Sequence, residues 1–323
     1  EINIDFYPQS DAEPMSLPAT IGPGDTTTVR LQDFTNLPNG AYSAVINADR
    51  PIAAHSRTEW AASRASETTG TCIAGAKVVA PVAMKRSEGR CSVFTIQNMD
   101  SGATRWALVE IYPQSGAAAL FAHDFPIRAG RSITFDLCDD ELTRNQLPDG
   151  FVGTMRLTSR DGSAPFAVES IIDYRAHASA KAVSACEGVP VGLPDMADTV
   201  LFAPLVHARW NVPATDPHWQ LSSRLAIANP GATAAVVHVT YTGIGGTCAG
   251  RQIAHDPVTV APNGAAILDP STDWLLPAGC LAAAKIEANG KVVASVLDEG
   301  ALIARPEATP VPTGAPKTGY MIE

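Results

Sequence analysis

The 323-residue chain carries 23 Lys and Arg against 33 Asp and Glu, a formal net charge of −10 that argues against a nucleic-acid partner. Only 17% of the residues are charged and 46% are hydrophobic, so the chain can bury sizeable cores beneath a surface more polar than charged. No run of about 18 apolar residues occurs that could span a membrane as a helix, and 25 Gly with 25 Pro, spread throughout, punctuate the chain into short strands and turns.

The chain begins at Glu1 without an initiator Met, which reads as a processed or trimmed product. Its first predicted strand carries Ile2, Ile4 and Phe6 and ends in Tyr7-Pro8-Gln9-Ser10. A turn at Pro23-Gly24 and the phrase Leu37-Pro38-Asn39-Gly40 follow, then the strand-rich stretch "YSAVINADRPIAAHSRTEW" and a small, polar linker at 61–75. From residue 77 the same grammar returns at greater length. "KVVAPV" and "CSVFTIQN" come first, and "RWALVEIY" then ends in a second Tyr112-Pro113-Gln114-Ser115. Ala129-Gly130 and Leu147-Pro148-Asp149-Gly150 match the earlier turn and phrase, and two strands joined by "RDGS" close the unit. A linker at 179–198 leads to a third copy. It contains "VLFAPLV" at 200–206, "SRLAIAN", "AAVVHVTY" with Tyr241-Thr242-Gly243 as its worn YPQS, the turn Pro262-Asn263-Gly264, and Leu276-Pro277-Ala278-Gly279.

Periodicity supports strands throughout. "TMRLTS" and "AKIEAN" alternate apolar and polar residues, as a half-buried strand does, whereas "AAVVHVTY" and "VVASVL" are the continuous apolar runs of a strand near a core. "ANGK" and "RDGS" are hairpin turns in which Gly supplies a positive φ. In Leu-Pro-x-Gly, Leu anchors the core, Pro ends what precedes it, and Gly frees the backbone for the next strand. The predicted fold is all-β, with three tandem Ig-like β-sandwich units. Residues 1–62 form an incomplete sandwich lacking its first two strands, 76–178 and 199–303 form complete ones, and 304–323 form a tail.

Six widely spaced cysteines, Cys72, Cys91, Cys138, Cys186, Cys248 and Cys280, include no CxxC pair and suggest disulfides in an oxidising compartment. Pairing in sequence order, 72–91, 138–186 and 248–280, would place one staple in or beside each repeat.

Chemistry-bearing patterns are sparse. None of the seven His residues forms an HExxH, and GxSxG, Walker A and GxGxxG stretches are missing, so neither a cofactor nor a metal is expected and the chain does not read as an enzyme. Asp139, Asp140 and Glu141 stand in "CDDEL" at a position that varies between the repeats, which favours a solvated loop with a helical turn over a paired-carboxylate site. Trp210 and Trp219 flank "NVPATDPH", an insertion missing from the second repeat. They could contact a polysaccharide, or pack against a neighbouring unit.

The repeated grammar of AP, xIxN, VxVxY, PG and LPxG resembles bacterial secreted surface and filament proteins built from tandem Ig-like sandwiches. The incomplete first unit resembles subunits of strand-complemented pili, although in those the donor extension is usually N-terminal and the subunit is a single sandwich. The resemblance implies an extracellular structural subunit of a filament, pilus-like fibre or surface layer. Copies would assemble into an open homopolymer by donating a strand to one another. The expected donor is Tyr320, Met321 and Ile322, the expected acceptor the strand of Ile2, Ile4 and Phe6. A fragment cut mid-repeat, and an adhesive or carbohydrate-binding module of a larger secreted protein, remain as alternatives.

Overall fold

The computed structural model describes residues 1–34, 36–60, 64–69, 74–174, 187–189, 197–211, 219–272 and 275–302. The chain is nearly all β. It starts with β1 (Ile2–Pro8), β2 (Met15–Ala19) and β3 (Tyr42–Ala48), a sheet of order β2-β1-β3 with both pairings antiparallel. Alternation in β1 turns Ile2, Ile4 and Phe6 to one face, where Met15, Leu17, Ile21, Val29, Leu37 and Tyr42 cover them. A separate hairpin follows, of β4 (His55–Trp60) and β5 (Arg64–Thr69). β5 falls inside the stretch 61–75 expected to be a linker.

The middle body comprises β6 (Lys77–Ser87), β7 (Arg90–Asn98), β8 (Arg105–Pro113), β9 (Phe121–Ile127), β10 (Ser132–Asp136), α1 (Glu141–Arg144), β11 (Phe151–Ser159), β12 (Phe166–Tyr174) and β13 (Glu187–Val189). Its strand order is β13-β12-β7-β6-β11-β8-β9, with β10 on the free side of β7. β6 and β7 pair only beside their hairpin, through Lys85 with Cys91 and Ser87 with Arg90. The two halves of the sheet therefore part beyond that point and face one another. One cluster fills the space between them, with Val78 and Ala80 from β6, Phe94 and Ile96 from β7, Val109 and Ile111 from β8, Met155 and Leu157 from β11, and Phe166 from β12. Burial stabilises each of the larger side chains by about 1.5–3 kcal/mol.

The third body comprises β14 (Asp198–Ala208), β15 (Trp210–Asn211), β16 (Trp219–Ala228), β17 (Ala235–Gly246), β18 (Gln252–Ala254), β19 (Val258–Val260), β20 (Ala265–Leu268) and β21 (Cys280–Leu302). The long β21 does the work of both β11 and β12. Its first half pairs with β17 and β14, and its second half with β16. The order β14-β21-β17 then repeats β6-β11-β8, and β20-β16-β21 repeats β10-β7-β12. The shared Ala-Pro phrase has a structural cause. The β6–β11 register breaks between Ala80 and Ala83, and the β14–β21 register between Ala203 and Val206. Pro81 and Pro204 sit at these breaks, where a residue without an N–H costs no ladder bond.

Asn98 and Asn229 reveal the same repeat in side-chain detail. Both are buried at the end of their strand. The Asn98 amide donates to the carbonyls of Ala103, Ile127 and Arg128 and accepts from the Asp100 N–H. The Asn229 amide donates to Thr233 and Val260 and accepts from the Gly231 N–H. Each one ties the loop after its strand to the strand entering the opposite half.

Two disulfides are present among the described residues, Cys91–Cys138 and Cys248–Cys280, with Cα atoms 5.8 and 5.1 Å apart. The second is the expected pair, but Cys91–Cys138 overturns both 72–91 and 138–186. Antiparallel pairing of β7 with β10, running from Val93 opposite Asp136, brings Cys91 alongside the chain at Cys138. Loops of 47 and 32 residues closed in this way restrict the unfolded chain by about 4 kcal/mol each. Cys72 and Cys186 lie outside the described residues.

Candidate functional site

The tetrapeptide Tyr-Pro-Gln-Ser lies at a joint in both places where it occurs. Tyr7 faces outward from β1, onto the turn of the middle body at Gly130. That residue has φ 67°, and a Cβ added to it would clash with the Tyr7 ring, 2.4 Å from Cε1. Gln9 donates from Nε2 to the Ser132 and Thr134 hydroxyls at 3.2 and 2.8 Å. Ser43, opposite Tyr7 in the β1–β3 register, donates to the Gly130 carbonyl at 3.3 Å. Arg131 clasps the far side by donating to the carbonyls of Pro8, Ser10 and Ala12, and Arg128 pairs with Asp11.

The second copy repeats these contacts one body further on. Thr154, opposite Tyr112 in the β8–β11 register, donates to the Asn263 carbonyl at 2.7 Å. Asn263 has φ 58° and takes the place of Gly130 in its turn. Arg156 donates to the Asn263 Oδ1, and the Ala265 N–H donates to the Gln114 carbonyl. Burial and the neighbouring Glu110 raise the Tyr112 phenol above its ordinary pKa. This joint also has an apolar layer. Val79, Val82 and Met84, on the outer face of β6, are buried with Ala226, Ala228, Ala265, Val293 and Leu297 of the third body. Beside the layer, Arg90 pairs with Glu88 and Glu299, and Arg224 pairs with Glu88 and Asp269. The hydrogen bond from Arg90, with Arg224 nearby, holds the Glu88 carboxyl below the usual carboxylate range.

The third body lacks this motif, and the sequence alignment of Tyr241 with Tyr112 is corrected by one residue. Val109 pairs with Leu157 and Val239 with Ile286, so Tyr241 stands at the position of the inward Ile111. It is fully buried in the core. Thr242 takes the place of Tyr112, and Ala283, opposite it, has no hydroxyl to match Thr154. A slip of one residue reverses the face of every side chain in a strand, so tyrosines in similar phrases can stand on opposite faces.

The N-terminal sheet repeats only part of the other two. β9-β8-β11 corresponds to β2-β1-β3, but the place that β6 and β14 occupy, along the outer edge of β11 and β21, has no strand beside β3 among the described residues. The inner face of β3 shows the same lack of cover. Ile46 is 36% exposed, whereas its counterpart Leu157 is fully buried. The expected acceptor, the strand of Ile2, Ile4 and Phe6, is also corrected. β1 has β2 on one edge and β3 on the other, so a further strand has no edge of β1 to join, and the free edge is that of β3.

Trp210 pairs through β15 with Leu221 and packs its indole against Gly246. Trp219 opens β16, paired with Leu302, and the loop 212–218 between them lies outside the described residues. Tyr320, Met321 and Ile322 also lie outside them. The acidic run serves local structure. The Asp140 side chain caps α1 by accepting from the Leu142 N–H. Lys85 is buried at the other end of this helix, donating to the carbonyls of Thr143, Arg144 and Leu147, and burial lowers its pKa. His207, Ser223 and Asp298 come together, but both partners approach the same ring atom, Nδ1, leaving no relay through the imidazole. The Ser223 hydroxyl instead accepts from the His207 N–H, as Ser92 does from Met84 in the middle body. No group of His, Cys, Asp and Glu suited to a metal ion occurs among the described residues. No family model and no curated protein matches the chain.

Proposed function

We propose that the chain is a structural, non-enzymatic subunit of an extracellular filament, pilus-like fibre or surface layer, in which Ig-like units of successive copies join head to tail by strand complementation. The observation that carries this reading is the edge of β3 beside the half-exposed Ile46, which no strand among the described residues joins, where the two other bodies hold β6 and β14. An unpaired edge next to uncovered core favours the addition of an antiparallel strand. The tail supplies a candidate, because "TGYMIE" aligns with the opening of "AKVVAP" and "DTVLFAP", the strands that fill this place elsewhere. The two disulfides are compatible with an oxidising, extracellular setting.

Electron microscopy of the purified full chain tests the proposal. Fibres are expected, together with their loss when residues 306–323 are deleted and protection of the β3 amides from hydrogen exchange only in the assembled form. Fibres unchanged by the deletion would remove the C-terminal donor. A strand from residues preceding Glu1 in a longer chain would show as β3 protection in that longer chain as a monomer, and would remove complementation between copies.

A further inference from the structure

The middle body carries an outward group that its repeat partner lacks. In β8 the residues Ala107, Val109 and Ile111 enter the core, so Trp106 and Leu108 face outward. Trp106 is 51% exposed. Pro126 of β9 stands opposite it, and on the other side Arg160, just beyond β11, donates its backbone N–H to the Trp106 carbonyl. Asp124 of β9 stands opposite Leu108. The Arg160 side chain crosses β8 to reach it, donating from Nε to Oδ1 at 2.5 Å and from Nη2 to Oδ2 at 2.8 Å. A planar, two-point ion pair therefore lies over β8 beside an open indole. The pair takes two of the five guanidinium N–H groups.

The fold does not require this group. Val109 and Val239 hold equivalent places, as do Leu157 and Ile286. Counted from these, Trp106 corresponds to Val236 and Arg160 to Asn289. Thr259 stands opposite Val236 as Pro126 does opposite Trp106, which puts Pro257 at the position of Asp124. The third body completes the same strands with neither an indole nor an ion pair there. Nor is the group built like the joint between the bodies. There Val79, Val82 and Met84 meet a continuous apolar layer, whereas Trp106 and Leu108 are ringed by Arg160, Asp124, Thr158 and Pro126. A protein docking there would find one flat ring rimmed by hydrogen-bonding groups, not the apolar centre of an interface.

A sugar ring has the complementary chemistry. One face of a pyranose with equatorial hydroxyls presents C–H bonds that stack on an aromatic ring, and its rim presents neighbouring hydroxyls that suit the two-point geometry of a guanidinium and a carboxylate. Arg160 and Asp124 cancel in charge, so the site offers an anionic glycan no advantage over a neutral one. We propose that Trp106, Arg160 and Asp124 form a binding site for an uncharged polysaccharide, with a sugar ring on the indole and its hydroxyls on the ion pair. The site does not rest on the head-to-tail reading. Trp106 lies about 20 Å along β8 from Tyr112 at the joint, so it stays open when bodies are joined.

The test follows the indole N–H signals of the full chain, one for each of its 5 tryptophans, by nitrogen-15 NMR during titration with cellohexaose and with chitohexaose. At least one of the two sugars is expected to shift a single indole signal, the one that Trp106→Val removes. Trp106→Val is expected to weaken binding by about tenfold or more, and Arg160→Asn to weaken it less. The third body carries Val and Asn at these places, so the melting temperature is expected to hold. Failure of both sugars to bind at millimolar concentration, shifts that follow Trp210 or Trp219 instead, or binding that survives Trp106→Val would each overturn the site. Self-association abolished by Trp106→Val, without sugar binding, would make this face a protein joint and overturn it as well. Should Trp106→Val lower the melting temperature, Arg160→Asn decides, and an unchanged affinity in that variant overturns the site.

Discussion

Replacing Asn98 by Ala removes two N–H donors and one acceptor from a site with no solvent exposure. The donors serve the carbonyls of Ala103, Ile127 and Arg128 at 2.8, 2.9 and 3.2 Å, and the acceptor takes the Asp100 N–H at 3.0 Å. Alanine leaves these groups without a partner and without room for bulk water. At about 1 kcal/mol net for each bond, and more where a buried group is orphaned, the loss is about 3 kcal/mol. Asn229→Ala removes the same set from the third body and is expected to cost about the same. A chain of several bodies need not unfold in one step, so the assay is hydrogen exchange read by mass spectrometry, body by body. Asn98→Ala is expected to speed exchange of the slowest amides of residues 76–174 by about two orders of magnitude, with residues 219–302 changing far less. Asn229→Ala should give the reverse pattern. A change below tenfold in the body carrying the substitution would refute the reasoning that these amides hold the loops, and with it the equivalence of the two bodies.

Non-reducing peptide mapping should recover Cys91 linked to Cys138 and Cys248 linked to Cys280, and Cys138→Ser should destabilise the middle body by about 4 kcal/mol in denaturant titrations. Asp161 accepts from the Ser159 hydroxyl and from the Ser163 and Ala164 N–H groups, and these bonds hold its carboxyl well below the usual range. A depressed carboxylate pKa contributes stability that is complete above the unfolded value near 4 and is lost as the pH falls toward the folded value. Asp161→Asn should therefore flatten the acid limb of the middle body's stability profile, measured by thermal melts between about pH 2 and 5. Thr154→Val should lower the melting temperature of the second joint modestly, by removing about 1 kcal/mol at Asn263. It should leave the first joint unchanged when exchange is followed at Gly130.

Much of the architecture was legible in the residues. Alternation in "TMRLTS" and "AKIEAN" predicts strands, and both segments are strands. The returning Ala-Pro, Tyr-Pro-Gln-Ser and Leu-Pro-x-Gly phrases mark equivalent places, because like sequences meet like local demands: a bulge that tolerates proline, a strand end that must face a neighbour, a turn that needs glycine. β5 and β13 were read as linker, because strands rich in small and polar residues leave no hydrophobic period to detect.

What the sequence by itself determined was the set of short-range choices: strand, turn, apolar face, and the order in which these recur. What only the tertiary structure decided were relations between distant residues. Cys91 meets Cys138 because β7 lies beside β10, a fact of pairing that cysteine spacing does not contain. Tyr241 enters the core because the β17–β21 register sets its face, and a shift of one residue would have turned it outward. Among the described residues the open edge belongs to β3, with β1 enclosed, because sheet order assigns each strand its neighbours. Phe202 and Val79 hold equivalent places in equivalent strands. One is exposed and the other buried solely because a further body lies against β6 and none of the described residues covers Phe202.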